Sequence, residues 1–249
     1  MKRRFRFLWG LPLALISNID EFWLKTTNNV SETFVSYIFD ISYYLKKQEV
    51  RLTIKLLILS LLFVITCFDE IESGQTVYEI TRVRSVKKYE MKKILSLITY
   101  TAGFWISFSL GILLLSLVST NGNISVSDAA ILIKAIMGLI FCKIMIALIA
   151  NLISILVKSR STIIYVVMSV IGMFVISTKL TMLLSKAPLV LSIYPITAMT
   201  VIFLSYKDLI LVLLCWLIEM AVPAIAIVYL LDRRFNDEKN SFRKYTKIV

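Results

Sequence analysis

The sequence contains no histidine, and this absence excludes several kinds of chemistry. A Ser-His-Asp triad, a histidine zinc site and the HExxH motif all need an imidazole. The sequence has three cysteines, which lie inside apolar runs and show no CxxC spacing: Cys67, Cys142 and Cys215. We predict that they are small buried hydrophobic residues. No GxxxxGK[ST] phosphate loop is present. We therefore expect no catalytic activity, no metal site and no cofactor in this chain.

Glycine and proline are also scarce, at 7 and 4 residues. Hydrophobic residues make up 58% of the chain and the mean hydropathy is +0.82, whereas soluble domains are usually ~45–50% apolar. A helix of ~20 apolar residues crosses a ~30 Å hydrocarbon core. The sequence therefore predicts an all-α polytopic membrane protein with a single transmembrane domain over 1–249. About six transmembrane helices are predicted, at 7–19, 52–68, 94–118, 129–157, 162–178 and 209–231.

Two apolar segments depart from a regular crossing. The first follows a basic N-terminal stretch and could be read as a signal peptide, but no small-x-small cleavage site follows it. We therefore predict an uncleaved short span at 7–19, with the alternative that part of it lies in the membrane interface. The segment 179–207 is apolar but interrupted by a lysine and two prolines, which favours broken outer helices over a full crossing.

The charge balance is strongly basic, with 28 Lys and Arg against 16 Asp and Glu. These basic residues flank apolar runs, so they are expected to set the topology and not to bind nucleic acid. Most of them lie at the N terminus, in 69–93, at Lys158 and Arg160, and in the C-terminal tail. The positive-inside rule then places both termini in the cytoplasm and the chain in the cell membrane, with the lipid bilayer as its surroundings.

Two charged residues fall inside predicted spans, Lys143 in the fourth and Glu219 in the sixth. A charge at that depth is costly and is expected to face protein, water or a partner. Either the two form a pair that joins the helices, or they line a pathway. Span three carries Thr99, Gly103, Ser107 and Gly111 at four-residue spacing, a stripe that predicts close helix packing.

The charged segment 69–93 begins acidic, passes through a short amphipathic stretch and ends basic as it enters span three. Taken alone it is either a plain charged loop or a patterned surface on the cytoplasmic side. Its pattern is Glu-x-Gly, a short apolar turn, Thr-Arg-x-x-Ser followed by basic residues, and a lysine that opens the next helix. The positions that carry this pattern are Glu72, Gly74, Thr81, Arg82, Ser85, Lys87, Lys88 and Lys93.

This pattern resembles the coupling-helix region of type-2 ABC exporter permeases, which also lies between the second and third transmembrane helices. The segment departs from many members at Val83, where they carry proline. The resemblance implies a type-2 ABC exporter-like fold with a cytoplasmic coupling helix. It also implies an ATPase-coupling site formed by Glu72, Gly74, Thr81, Arg82, Arg84, Ser85, Lys87 and Lys88.

The resemblance further implies two kinds of partner, a cytoplasmic ABC ATPase subunit and a second permease subunit that is identical or different. The expected function is export of an amphipathic or lipophilic substrate, such as a peptide toxin, a lantibiotic or a drug. The resemblance extends to the small amphipathic-peptide exporter and immunity group of Gram-positive bacteria. The alternative is a membrane immunity or accessory protein that sequesters a peptide without transporting it.

Overall fold

The computed structural model describes residues 8–18, 29–38, 86–120, 122, 124–157, 164–165, 167–172, 188–193 and 204–245. The helices over these ranges are α1 (Gly10–Ser17), α2 (Val30–Ile38), α3 (Val86–Ser119), α4 (Val126–Leu156), α5 (Pro188–Ile193) and α6 (Tyr206–Tyr245). Residues 167–172 are helical as well, and no strand occurs within the described ranges. The prediction of an all-α protein is confirmed for this part of the chain.

Three helices are long and apolar enough to cross a membrane: Lys87–Ser119, Ser127–Leu156 and Tyr206–Arg233. They coincide with the predicted spans 94–118, 129–157 and 209–231. Helix α3 begins eight residues before its apolar part and α6 continues to Tyr245. The reason for the difference is that hydropathy reports where lipid can surround a helix, whereas lysine, arginine and glutamate also favour helix outside the bilayer.

Helix α1 is too short to cross a membrane. Its eight residues rise ~12 Å, less than half of a ~30 Å hydrocarbon core. The helix ends at Asn18, whose Nδ2 donates to the Ala14 carbonyl at 2.8 Å. Within the described residues, the predicted span 7–19 is therefore a short helix and not a full crossing. Pro12 lies in its first turn, where a missing N–H costs no helical hydrogen bond.

Several predictions fall outside the described residues. These are the span 52–68, the segment 69–85 and most of the span 162–178. Of the predicted broken helices at 179–207, the structure describes α5, which starts at Pro188, and residues 204–207 at the start of α6.

The contacts between helices give their relative directions. Lys87 Nζ at the start of α3 lies 3.4 Å from Asp232 Oδ2 in α6, so these two helices run antiparallel. Lys134 Nζ in the first half of α4 donates to the Leu204 carbonyl, just before α6, at 2.7 Å, so α4 and α6 run parallel. We call the end of the bundle where α3 starts the Lys87 end, and the end where α4 and α6 start the Ser125 end. The predicted span at 162–178 would supply the passage from the end of α4 back to the start of α6.

Helix α1 packs on the second half of α3 through glycines. A Cβ atom added to Gly10 would overlap the Phe104 carbonyl oxygen and lie 2.8 Å from the Phe108 nitrogen. A Cβ added to Gly111 would lie 2.8 Å from the Ala14 Cβ. Two members of the predicted small-residue stripe, Ser107 and Gly111, therefore meet α1, whereas Thr99 at the Lys87 end of the stripe is exposed.

The core at the Ser125 end includes α2 as well as α3 and α4. Val30 and Phe34 of α2 are fully buried and belong to one apolar cluster with Phe108, Ile112 and Leu139. A second cluster at the Lys87 end joins α3, α4 and α6 through the side chains of Ile94, Ile144, Leu148 and Ile227. The bundle is thus held together at both ends by different sets of helices.

Candidate functional site

Lys143 lies inside the bundle, with only 2% of its surface exposed. Its Nζ lies 4.8 Å from the centroid of the Trp105 ring of α3. That indole is itself buried and packs edge-on against Phe104 and Phe108, at centroid distances of 5.4 and 5.1 Å. A desolvated ammonium above an aromatic face gains ~2 kcal/mol or more. The aromatic cluster therefore offsets part of the cost of placing this charge at mid-depth in α4.

Glu219 does not form an ion pair with Lys143. One of the α4 residues that contact α6 is Phe141, whose ring lies 5.0 Å from that of Trp216. Lys143 follows two residues later, which turns it ~200° around the helix, toward Trp105 and away from α6. The side chains of Lys143 and Glu219 therefore do not pair in the structure. The alternative, that they line a pathway, stays a prediction.

The surroundings of Glu219 differ from those of Lys143. Its position falls on the packed stripe of α6, between the buried residues Trp216 and Pro223, but its side chain is only half-buried. The side chain of Glu219 makes no hydrogen bond or ion pair with the described residues. Pro223 has no N–H, so the carbonyl of Glu219 lacks its usual helical donor four residues on. One residue at mid-depth in the candidate span thus carries both a carboxylate and a carbonyl without that donor.

The Lys87 end holds the described part of the predicted coupling site. Lys87 and Lys88 are exposed in the first turn of α3, and the segment 86–93 is continuous with the span that follows. The other coupling residues lie outside the described residues: Glu72, Gly74, Thr81, Arg82, Arg84 and Ser85. What the structure adds is that the basic end of this segment is already helical.

Glu90 is a buried acidic residue in the charged segment that precedes the apolar part of α3. Its neighbours in sequence are mostly basic, yet only 4% of its surface is exposed. A spacing of four residues to the buried Ile94 and eleven to the buried Thr101 places all three on the inner face of α3. That helical spacing is the signal by which its burial could have been predicted.

A carboxylate at the Ser125 end joins two helix starts. Asp128 is 94% buried, and its Oδ1 accepts from the Ser31 hydroxyl of α2 at 2.5 Å. Its Oδ2 accepts from the backbone N–H and the hydroxyl of Ser125, at 2.9 and 2.5 Å. The Ser125 hydroxyl accepts in return from the Asp128 N–H, which completes a capping box. Asp128 therefore holds the start of α2 against the start of α4.

No group of three or more His, Cys, Asp or Glu that could hold a metal ion occurs in the part of the chain that the structure describes. Comparison of the chain with protein-family models, with curated proteins and with solved structures finds no match. A function for this chain therefore has to be inferred from its own residues.

The ion pair between Lys87 and Asp232 is expected to contribute little to stability. Lys87 is 67% exposed and Asp232 is 29% exposed at their side chains, and exposed pairs are typically worth about 0.2–1 kcal/mol. A double-mutant cycle with Lys87→Ala and Asp232→Ala should give a coupling energy in that range, and added salt should reduce it. Thermal unfolding in a mild detergent measures this. The matched control is Lys88→Ala, an exposed lysine one residue away, which should show no coupling to Asp232.

Proposed function

We propose that this chain is a permease subunit of an ABC exporter of the type-2 class. A second permease, identical or different, would complete the pathway, and a separate ATPase subunit would supply the energy. The substrate would be amphipathic or lipophilic, such as a peptide toxin, a lantibiotic or a drug. The observation that carries the proposal is the continuity of α3: the helix begins directly after the coupling-like residues 72–85 and runs without interruption to Ser119.

This continuity fits the task of a coupling segment. The 34 residues of α3 rise ~51 Å, so the helix exceeds a ~30 Å hydrocarbon core by about 20 Å. A long helix moves as a rigid body, and movement of packed helices is a common way to pass on a conformational change. At the Lys87 end, α3 also packs on α4 and α6 through Ile94, Leu148 and Ile227. A force on residues 72–85 would thus reach all three helices together.

The charges support the corresponding orientation. The first turns of α3 carry Lys87, Lys88, Lys92 and Lys93. At the Ser125 end, the first turns of α4 and α6 carry one lysine, Lys207. The positive-inside rule favours the Lys87 end in the cytoplasm of the cell membrane, where an ATPase would bind. The same orientation agrees with a cytoplasmic C terminus, because α6 ends at the Lys87 end.

The proposal is tested by charge reversal in the coupling-like segment. The chain is purified from its native cells with the ATP-hydrolysing subunit that accompanies it, and ATP hydrolysis is measured in lipid with each protein alone and together. Glu72→Arg combined with Arg82→Glu should lower the stimulated rate by at least about half, since a surface that docks by charge is opposed by like charges. Membrane insertion should be unchanged.

The matched control is Lys207→Glu, which reverses an exposed charge at the Ser125 end and should leave the stimulated rate intact. Full stimulation by the double variant would contradict the coupling assignment. An ATPase that is absent, or that hydrolyses ATP equally well with and without the chain, would favour the non-transporting protein instead.

A further inference from the structure

Glu219 is an acidic residue at a depth where an ionised side chain is energetically costly. It lies in the middle of the candidate span Tyr206–Arg233, and charged groups at the centre of a bilayer usually face water, a counter-charge or a transported ligand. Within the described residues, this carboxylate accepts no hydrogen bond and forms no ion pair. Lys143, the described cation at similar depth, lies on the opposite face of α4 above the Trp105 ring.

The backbone adds a second acceptor at the same point. Because Pro223 lacks an N–H, the Glu219 carbonyl is left without its helical donor. In transporters, backbone carbonyls that lack a helical donor coordinate cations at mid-membrane depth. A carboxylate and a freed carbonyl of one residue favour a positively charged ligand over a neutral or negative one.

The surrounding surface is open to an apolar ligand. Only 22% of the most apolar stretch of α6 is buried, against 50% for each of the other two candidate spans. Ile218 and Val222, which flank Glu219 on the helix, are 67% and 64% exposed. A molecule that reaches Glu219 from the side would therefore cross apolar side chains and meet a charge at its end.

We propose that Glu219 and its freed carbonyl recognise a cationic amphiphile, whose positive group meets the carboxylate while its apolar part lies along Ile218 and Val222. As the substrate class of the exporter this inference rests on the proposed function, but binding itself needs no ATPase. The contact of Glu219 with a second copy of this chain is the competing occupant. Charge complementarity favours the ligand, because the described lysine at that depth is buried against Trp105 and could not pair across an interface.

The test uses two probes of nearly the same shape and opposite charge, tetraphenylphosphonium and tetraphenylborate. The full-length chain is placed in discs of zwitterionic lipid, and equilibrium binding of each labelled ion is measured against empty discs. Each ion is measured in a separate sample, because oppositely charged ions of this kind pair with each other. Tetraphenylphosphonium should bind saturably above the empty discs, whereas tetraphenylborate should not. Glu219→Gln keeps the shape and removes the charge, and should weaken binding about ten-fold, as expected for loss of one partly desolvated charge contact.

The matched control is Asp208→Asn, which removes an acidic charge at the outer start of the same helix and should leave binding unchanged. Equal binding of tetraphenylphosphonium by the wild type and Glu219→Gln would overturn the site, as would saturable binding of tetraphenylborate to the wild type, a result that needs no variant. A change in oligomeric state of Glu219→Gln with unchanged probe binding would assign the residue to a contact between copies. Charge-selective binding without any coupled ATPase would keep the site and refute the exporter.

Discussion

Replacing Gly10 with alanine is expected to lower the stability of the chain by about 2 kcal/mol, in spite of alanine's higher helix propensity. The added Cβ would overlap the Phe104 carbonyl oxygen and lie 2.8 Å from the Phe108 nitrogen. Both are backbone atoms of α3 and cannot move aside as a side chain can. Helix α1 would have to shift away from α3, and the packing of Ala14 against Gly111 would loosen with it. Thermal unfolding in a mild detergent, with wild-type protein measured in parallel, checks this.

Gly172 offers a control of opposite sign. It is also helical, but a Cβ added there would meet nothing within 4 Å. Gly172→Ala should therefore be neutral or stabilise by up to about 1 kcal/mol, because alanine loses less conformational entropy in a helix. Gly111→Ala, whose Cβ would lie 2.9 Å from the Leu11 carbonyl oxygen, should behave like Gly10→Ala. A Gly10→Ala variant as stable as Gly172→Ala would contradict the close packing of α1 on α3.

The contact between α1 and α3 also shows what residue spacing in a sequence can and cannot predict about helix packing. Small residues at four-residue spacing in span three predicted a close helix neighbour, and Ser107 and Gly111 do face one. The pattern could not say that the neighbour is a helix of eight residues. The reason is that spacing reports the face of a helix that is packed, whereas the identity and length of the partner depend on the rest of the chain.

The two intramembrane charges illustrate the same limit. Hydropathy placed Lys143 and Glu219 at mid-depth, because depth follows from position within an apolar run. Whether they meet depends on the direction in which each side chain points. Phe141 faces α6 and Lys143 faces α3, a difference of only two residues in sequence. The Trp105 ring beside Lys143 could not be predicted without knowing which helices touch, whereas the burial of Glu90 follows from its spacing to the buried Ile94 and Thr101.

The broad architecture was more accessible to prediction. Three apolar runs are long enough to cross a bilayer, and helices of that length occur at the predicted places. The bounds were less predictable, since α3 continues into its lysine-rich start and α6 into its polar end. The coupling-like pattern at Glu72 to Ser85 rests on the resemblance alone, because those residues lie outside the described part of the chain.

The junction at the Ser125 end yields the second large expected effect. Asp128→Ala removes an acceptor from the Ser31 hydroxyl, the Ser125 N–H and the Ser125 hydroxyl at once. It also removes the negative charge that favours the N-terminal end of α4, where the helix dipole is positive. Hydrogen bonds to charged groups contribute more than neutral ones. We therefore expect the Tm in detergent to fall by about 6 °C, with α2 loosening from the start of α4.

The chain holds a matched comparison in Ser205 and Asp208, which cap α6 with the same Ser-x-x-Asp spacing. That cap is exposed and joins no second helix within the described residues, so Asp208→Ala should lower the Tm by only about 2 °C. Ser31→Ala in the Asp128→Ala background should cost less than in the wild type, because the bond between the two is already gone. If Asp128→Ala and Asp208→Ala lower the Tm equally, Asp128 is an ordinary helix cap and its contact with Ser31 does not hold α2 in place.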